Sequence, residues 1–231
     1  MHAIERGGAE LALLPERAVH WPARDTLFIA DPHFGKAATM RAQSVAIPAG
    51  GTREDLVRLS AVLRATGARR LVILGDLLHA KAGRTPPVID AVASWRAAHA
   101  DLEVVLVRGN HDARAGDPPA DWRFDCVDEP HVVGPLVLRH TPEADARGYV
   151  LAGHIHPGIV LRAPGWPTVR LPAFHETPAG LTLPAFGSFT GLAEVTPGEA
   201  DRVFAIAEDS VVPVHALGPG TLGRALRGLT R

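Results

Sequence analysis

Asp31 and His33 stand two residues apart directly after the apolar run Leu27-Phe28-Ile29-Ala30. The same juxtaposition recurs along the chain. Gly75-Asp76 follows Leu71-Val72-Ile73-Leu74, and Gly109-Asn110-His111-Asp112 follows Val104-Val105-Leu106-Val107 after Arg108. His140 follows Leu136-Val137-Leu138 after Arg139, and Gly153-His154-Ile155-His156 follows Tyr149-Val150-Leu151-Ala152. Asp, Asn and His without Cys are oxygen and nitrogen donors of the kind that suit manganese, iron or zinc in five- or six-coordinate sites. Asp31, His33, Asp76, Asn110, His140, His154 and His156 are more ligands than one ion needs if it must also hold a substrate. Two ions about 3.5 to 4 Å apart, sharing one carboxylate and one water, use them all and stabilise both the attacking and the leaving oxygen of an in-line displacement. The chemistry is metal-assisted hydrolysis, best suited to a phosphoester.

Such a site needs a scaffold that gathers five distant loops. The apolar runs are short and aliphatic or β-branched, as strands buried on both faces are. Helical patterns separate the first three. Thr52 is placed to cap a helix with Asp55 in the reciprocal position, with Leu56, Leu59 and Leu63 on one face and an end near Gly67. A second helix opens at Pro86-Pro87 and buries Ile89, Val92 and Trp95 or the stem of Arg96. Strand, helix, strand, helix, strand is an α/β signature, and the crevice of such a sheet lies beyond the carboxyl ends of its strands, where every cluster falls. After about residue 130 the pattern is mostly β: Thr168 to Glu176 with Leu181 to Phe189, and Val203 to Ile206 with Val211 to Val214, read as hairpins. The expected architecture is α/β, two sheets packed together with helices on the outer faces, in one domain spanning 1–231.

Asp31-x-His33, Gly75-Asp76, Gly109-Asn110-His111-Asp112, His140 and Gly153-His154-x-His156, in that order, resemble the signature of the calcineurin-like metallophosphoesterases. The resemblance implies a four-layer sandwich of two mixed β-sheets flanked by helices. It also implies that Asp31, His33 and His156 bind one metal, that Asn110, His140 and His154 bind the other, that Asp76 bridges them, and that His111 is the acid beside them. Asp31-Pro32-His33-Phe34-Gly35-Lys36, Gly75-Asp76-Leu77-Leu78-His79, Gly153-His154-Ile155-His156-Pro157 and Leu183-Pro184-Ala185-Phe186-Gly187-Ser188-Phe189-Thr190-Gly191 are similar to the ligase-associated bacterial members. Those are manganese-dependent DNA endonucleases encoded with repair helicases and ligases, so the resemblance extends over residues 25–191. It implies two divalent ions, manganese first with zinc or iron as alternatives, a single-stranded DNA substrate, functional association with a ligase and a helicase, and a homodimer as one assembly.

The residues' own chemistry bears on the substrate. A nucleic-acid phosphodiester departs as a sugar alkoxide that must be protonated, work for which a histidine is the side chain most often placed, and His111 is that histidine. A bridging hydroxide would attack phosphorus as His111 donates. Two divalent ions against Asp31, Asp76 and that hydroxide leave about one positive charge to face a diester's single negative one. Asp112 either orients the His111 imidazole or holds its loop through backbone bonds. His79, three residues after Asp76, is expected to contact a substrate phosphate, while Lys36, Lys81 and Arg84 read as solvated loop. Trp122, Phe124 and Trp166 are placed as core before base-stacking platforms, and Arg224, Arg227 and Arg231 as a solvated face of a C-terminal helix or tail. His131 and His175 receive no role.

The rest excludes more than it assigns. The chain has 231 residues, 46% hydrophobic and 21% charged, with a net charge of −1, which argues against a protein that coats nucleic acid indiscriminately. Only Lys36 and Lys81 of the 24 basic residues are lysine, so single arginines are weak evidence for phosphate binding. The lone Cys126 excludes a disulfide scaffold, and with no apolar leader or membrane span the expected address is the cytoplasm. A Ser/Thr protein phosphatase is disfavoured because Leu77-Leu78-His79 stands where that branch carries Asp and Arg. A small-molecule or cyclic-nucleotide phosphoesterase is the alternative enzyme, and a metal-free binding scaffold the alternative class, against which the intact ligand set speaks.

Overall fold

The structure, a computed structural model, describes residues 1–48, 50–162 and 167–214. Its first sheet has seven strands in sequence order: β1 (His2–Arg6), β2 (Ala9–Leu14), β3 (Ala18–Trp21), β4 (Thr26–Ile29), β5 (Arg70–Leu74), β6 (Glu103–Val107) and β7 (Asp125–Val127). The first four run antiparallel and β4 through β7 run parallel. The sequence reading places nothing at β1 to β3. These strands extend the sheet on the side of β4 away from β5.

The second sheet is built from β8 (His131–Val133), β9 (Leu136–Leu138), β10 (Tyr149–Ala152), β11 (Pro157–Leu161), β12 (Val169–Thr177), β13 (Gly180–Thr182), β14 (Ala193–Glu194), β15 (Arg202–Ala207) and β16 (Ser210–Pro213). It is also mixed: β10 lies parallel to β9 and β13, and β12 is antiparallel to β11, β13 and β15. Both expected hairpins form, as β12–β13 and β15–β16, but the second strand of the first is only Gly180–Thr182 and does not run on to Phe189.

Alternation along β4, β5 and β6 explains their uninterrupted apolar runs. Phe28, Val72, Val105 and Val107 meet Leu136, Leu138, Leu151, Phe174 and Phe204 between the sheets. Leu27, Ile29, Leu71, Ile73, Val104 and Leu106 face the other way, onto Leu56, Leu59 and Leu63 of α2 (Gly51–Thr66) and Val88, Val92 and Trp95 of α3 (Pro86–Ala98). Strands covered on both faces need no polar alternation. The described α-helices, which include α1 (Lys36–Ala42) and α4 (Asn110–Ala115), all precede residue 116, so a helical layer, two sheets and the core between them are described. The expected C-terminal helix, with Arg224, Arg227 and Arg231, lies outside the described residues, as does Trp166. Among the described residues no helix is long and apolar enough to cross a membrane.

One local expectation is corrected. Thr52 and Asp55 do not cap α2, whose N-cap is Gly50. Tertiary partners take both side chains: Thr52 Oγ1 accepts the Gly35 N–H at 3.1 Å, and Asp55 accepts from Ser188 Oγ at 2.5 Å and Arg58 Nη2 at 2.9 Å. Gly67 closes the helix in a left-handed conformation, its N–H on the Leu63 carbonyl. The α3 expectation holds at its start and for Val92, Trp95 and Arg96, which donates from Nε to the Trp122 carbonyl at 2.8 Å, but Val88 is the buried residue of the first turn and Ile89 is only half-buried.

Candidate metal centre

The loops after β4 and β5 are zipped together before any side chain is considered. Asp31 N–H donates to the Gly75 carbonyl, His33 N–H to that of Asp76, and Phe34 N–H to that of Leu77. Asp31, His33, Asp76, His154 and His156 all have positive φ, which turns these side chains off their strand ends into one cavity. Gly109 completes the packing, since a Cβ there would overlap the Asp76 carboxylate. Loops after β6, β9 and β10 arrive at the same place, so the centre sits at the carboxyl ends of strands from both sheets.

Two groups of donors result. Asp31, His33 and His156 bring their ligand atoms within 4.8 Å of one another, and so do Asp76, His140 and His154. Asn110, exposed at the start of α4, joins the second group, its Oδ1 2.9 Å from His140 Nε2. Asp76 spans both: Oδ2 lies 3.7 Å from His33 Nε2, and Oδ1 lies 3.5 Å from His140 Nε2. The structure thus brings together all seven residues that sequence reading nominates as ligands.

The donor chemistry fits cations. Asp31 is wholly buried; its Oδ2 accepts the His154 N–H at 2.8 Å, but its Oδ1 has no hydrogen-bond partner and points toward His140 Nδ1 and His156 Nε2, each at 3.7 Å. A buried carboxylate oxygen without a protein partner is costly, and a cation would relieve it. His140 donates from Nδ1 to the Leu74 carbonyl at 3.1 Å, leaving the Nε2 lone pair facing the Asn110 oxygen and His154 Nδ1, 3.0 Å away. A ring lone pair beside an amide oxygen and a second imidazole nitrogen is a donor set that fits a cation. Burial raises the Asp76 carboxyl above its ordinary range, and Asp31 adds to that. Burial also drives His33 far below the imidazole range, with Lys36 and three neighbouring histidines adding to it.

The flanking residues sort by their partners. His111 donates from Nδ1 to the His79 carbonyl at 2.7 Å, which turns Nε2 toward the centre, 3.9 Å from Asp76 Oδ2. Its backbone N–H holds Asp76 Oδ1 at 2.8 Å. The His79 ring stacks on His111 with centroids 4.8 Å apart and places Nδ1 3.4 Å from His33 Nδ1. Burial lowers the His79 pKa to about 4, so its ring is neutral near pH 7. Asp112 accepts the N–H groups of Gly109 at 2.9 Å and Leu78 at 3.3 Å, which is the loop-holding alternative of the two open for it. Arg84 is occupied by the carbonyls of Ala115, Gly116 and Asp117, Trp122 and Phe124 pack in the helical-side core, and His175 pairs with Asp201 at 2.9 Å.

Sequence reading missed Glu129. Its Oε2 accepts the backbone N–H of His140 at 2.6 Å and of Thr141 at 3.1 Å, and its Oε1 accepts from Thr141 Oγ1 at 3.1 Å. No motif marks it, because backbone N–H groups can be met by any acidic residue the fold delivers. Glu129→Ala is expected to weaken Mn(II) binding at the His140–His154 group by about 10- to 100-fold, as loss of a ligand's supporting partner does. Titration calorimetry should show one weakened and one retained event, and two unchanged events would remove Glu129 from the centre.

Comparison with known proteins bears on the whole chain. The profile of the calcineurin-like phosphoesterase family matches residues 25–157. Among solved structures, the nuclease MPE of Pseudomonas putida is 43% identical, with a TM-score of 0.82 over 92% of this chain and 98% of that one. The phosphoesterase Yfce from E. coli is 16% identical, with a TM-score of 0.38 over 81% of this chain and 96% of that one. No curated protein matches the chain.

Proposed function

The chain belongs to the calcineurin-like phosphoesterase family and is a phosphoester hydrolase, and from that premise we propose that it is a metal-dependent endonuclease cutting single-stranded DNA, with manganese as its ion. The observation that carries this reading is His111. With Nδ1–H fixed on the His79 carbonyl, the His111 ring aims Nε2 at Asp76, and a second proton on the ring would make Nε2 a proton donor beside the two donor groups. An alkoxide leaving group demands such a donor and an activated phenolate does not. The 43% identity to a nuclease supports the substrate class.

In this reading Asp31, His33 and His156 hold one divalent ion, Asn110, His140 and His154 hold the other, and Asp76 serves both. When bound, two such ions supply Lewis-acid stabilisation to the attacking and leaving oxygens of an in-line displacement. The chain's own residues do the rest. The Leu74 carbonyl fixes the His140 tautomer, and Asp112 ties the His111 loop to the loop after β5. His79, neutral and stacked on His111, offers a ring N–H to a non-bridging phosphate oxygen. A water oxygen bonds to phosphorus as the opposite phosphorus–oxygen bond breaks, and the doubly protonated His111 ring gives its Nε2 proton to the departing sugar oxygen, keeping Nδ1–H on the His79 carbonyl. Service in DNA repair beside a ligase and a helicase, a cytoplasmic address and a homodimer belong to the same reading and rest on the motif resemblance.

The test is circular single-stranded DNA incubated with the protein and manganese, zinc, magnesium or iron, in parallel with duplex DNA, RNA and bis-p-nitrophenyl phosphate. Linearisation of the circle with manganese is expected. Hydrolysis confined to the nitrophenyl ester or to free nucleotides would replace this reading with the small-molecule one.

A further inference from the structure

Beside the Asp31 group the wall of the centre carries a narrow notch of about 10 Å³ lined by Pro32, His33, Lys36, Thr52, Asp55, Phe189 and Thr190, with the Asp55 carboxylate engaged by Arg58 and Ser188. No step above uses it. Lys36 opens α1 directly after Gly35, which is left-handed at φ 82. Thr52 anchors the first turn of α2 to Gly35. Phe189 and Thr190 belong to the segment tied to the end of β4 by the Ala30–Ala185 bridge and by the Phe186 N–H on the Ala30 carbonyl at 2.7 Å.

Two side chains at the notch are prepared for a ligand. Lys36 is half-buried, and among the described residues its ammonium has neither a hydrogen bond nor an ion pair; the carboxylates that reach it, Asp31 and Asp76, do so only through the field. A cation drawn partly out of water without a partner is costly unless an anion meets it. Phe189 is half-buried with its ring against Gly51, where a Cβ would overlap it, so the ring is held in place and remains partly at the surface. A held aromatic ring beside a free cation matches the two parts of a nucleotide, base and phosphate. Of the candidate ligands only His33 lines the notch, so a phosphate there is a different one from that held across Asp76.

We propose that the surface around this notch binds the nucleotide adjoining the scissile bond, with Lys36 on its phosphate and Phe189 stacked on its base. The inference rests on the endonuclease reading and adds that the enzyme grips a strand, not an isolated ester. The experiment measures kcat/KM of the manganese-loaded protein on a single-stranded 12-mer across a potassium chloride series, with bis-p-nitrophenyl phosphate as a substrate that has no flanking nucleotide. Lys36→Gln should flatten the plot of log(kcat/KM) against log salt by about 0.7, the value of one single-strand phosphate contact, and Lys36→Arg should restore the slope. Phe189→Leu, which keeps an apolar side chain over Gly51, should lower kcat/KM on the 12-mer by about tenfold more than on the nitrophenyl ester. An unchanged salt slope in Lys36→Gln, or equal losses on both substrates in either variant, overturns the assignment. Wild-type protein that hydrolyses the ester but cuts no oligonucleotide removes the endonuclease reading and this inference with it, whereas normal cutting with unresponsive variants removes this inference alone.

Discussion

His111→Ala is expected to lower kcat on single-stranded DNA by about 10²- to 10⁴-fold, the range a positioned general acid supplies, with two divalent ions still bound. The backbone N–H of residue 111, which holds Asp76 Oδ1, survives the substitution, so the Asp76 carboxylate stays in place. Only the ring is lost. The deficit should shrink on bis-p-nitrophenyl phosphate, whose leaving phenolate needs no proton. Metal content separates this role from a rival one. His33, His79 and His111 also bring ligand atoms within 4.8 Å of one another, and if they held an ion the variant would lose it. An ion count that falls in step with activity would make His111 a ligand; full activity on DNA would remove it from the reaction.

The donor cluster was legible in the sequence because its members are side chains of restricted type placed immediately after strands that betray themselves by unbroken apolar runs. Phe28 against the second sheet and Leu27 and Ile29 against the helices account for one such run, and Asp31 follows it. What was not legible depends on the backbone or on distant partners. The carbonyls of Leu74 and His79 choose the tautomers of His140 and His111, and a carbonyl belongs to every residue. Glu129 works through N–H groups for the same reason. Thr52 and Asp55 show the opposite failure: a sound local capping pattern loses to Gly35 and Ser188, tertiary partners that sequence spacing cannot reveal. Strand β2 escaped because Ala9–Leu14 buries five of its six residues, a pattern that carries no period of two.

Asp76→Asn is expected to abolish hydrolysis and to change the sign of its effect on stability with metal. Without ions the Asp76 carboxyl is a buried acid whose pKa burial has raised. A carboxyl raised in the folded state favours the protonated form there, so folding stability falls as pH climbs from the unfolded carboxylate value, about 4, through the raised folded value. Asparagine keeps the shape, can still accept the His111 N–H, and removes the charge. In chelator at pH 7, Asp76→Asn should therefore melt at or above the wild-type temperature, and wild type should lose stability relative to the variant as pH rises from about 4. With saturating manganese the order should reverse, because an ion that binds only the folded state adds about 2.7 kcal/mol at 100 times its Kd and the variant forfeits this. A carboxylate shared by two ions should cost at least as much affinity as a supporting partner, about 100-fold or more. Thermal melts in chelator and in manganese decide the matter. A variant that melts lower in both conditions would make Asp76 a structural acceptor for the His111 loop, and a variant that gains as much from manganese as wild type would leave the two donor groups unlinked.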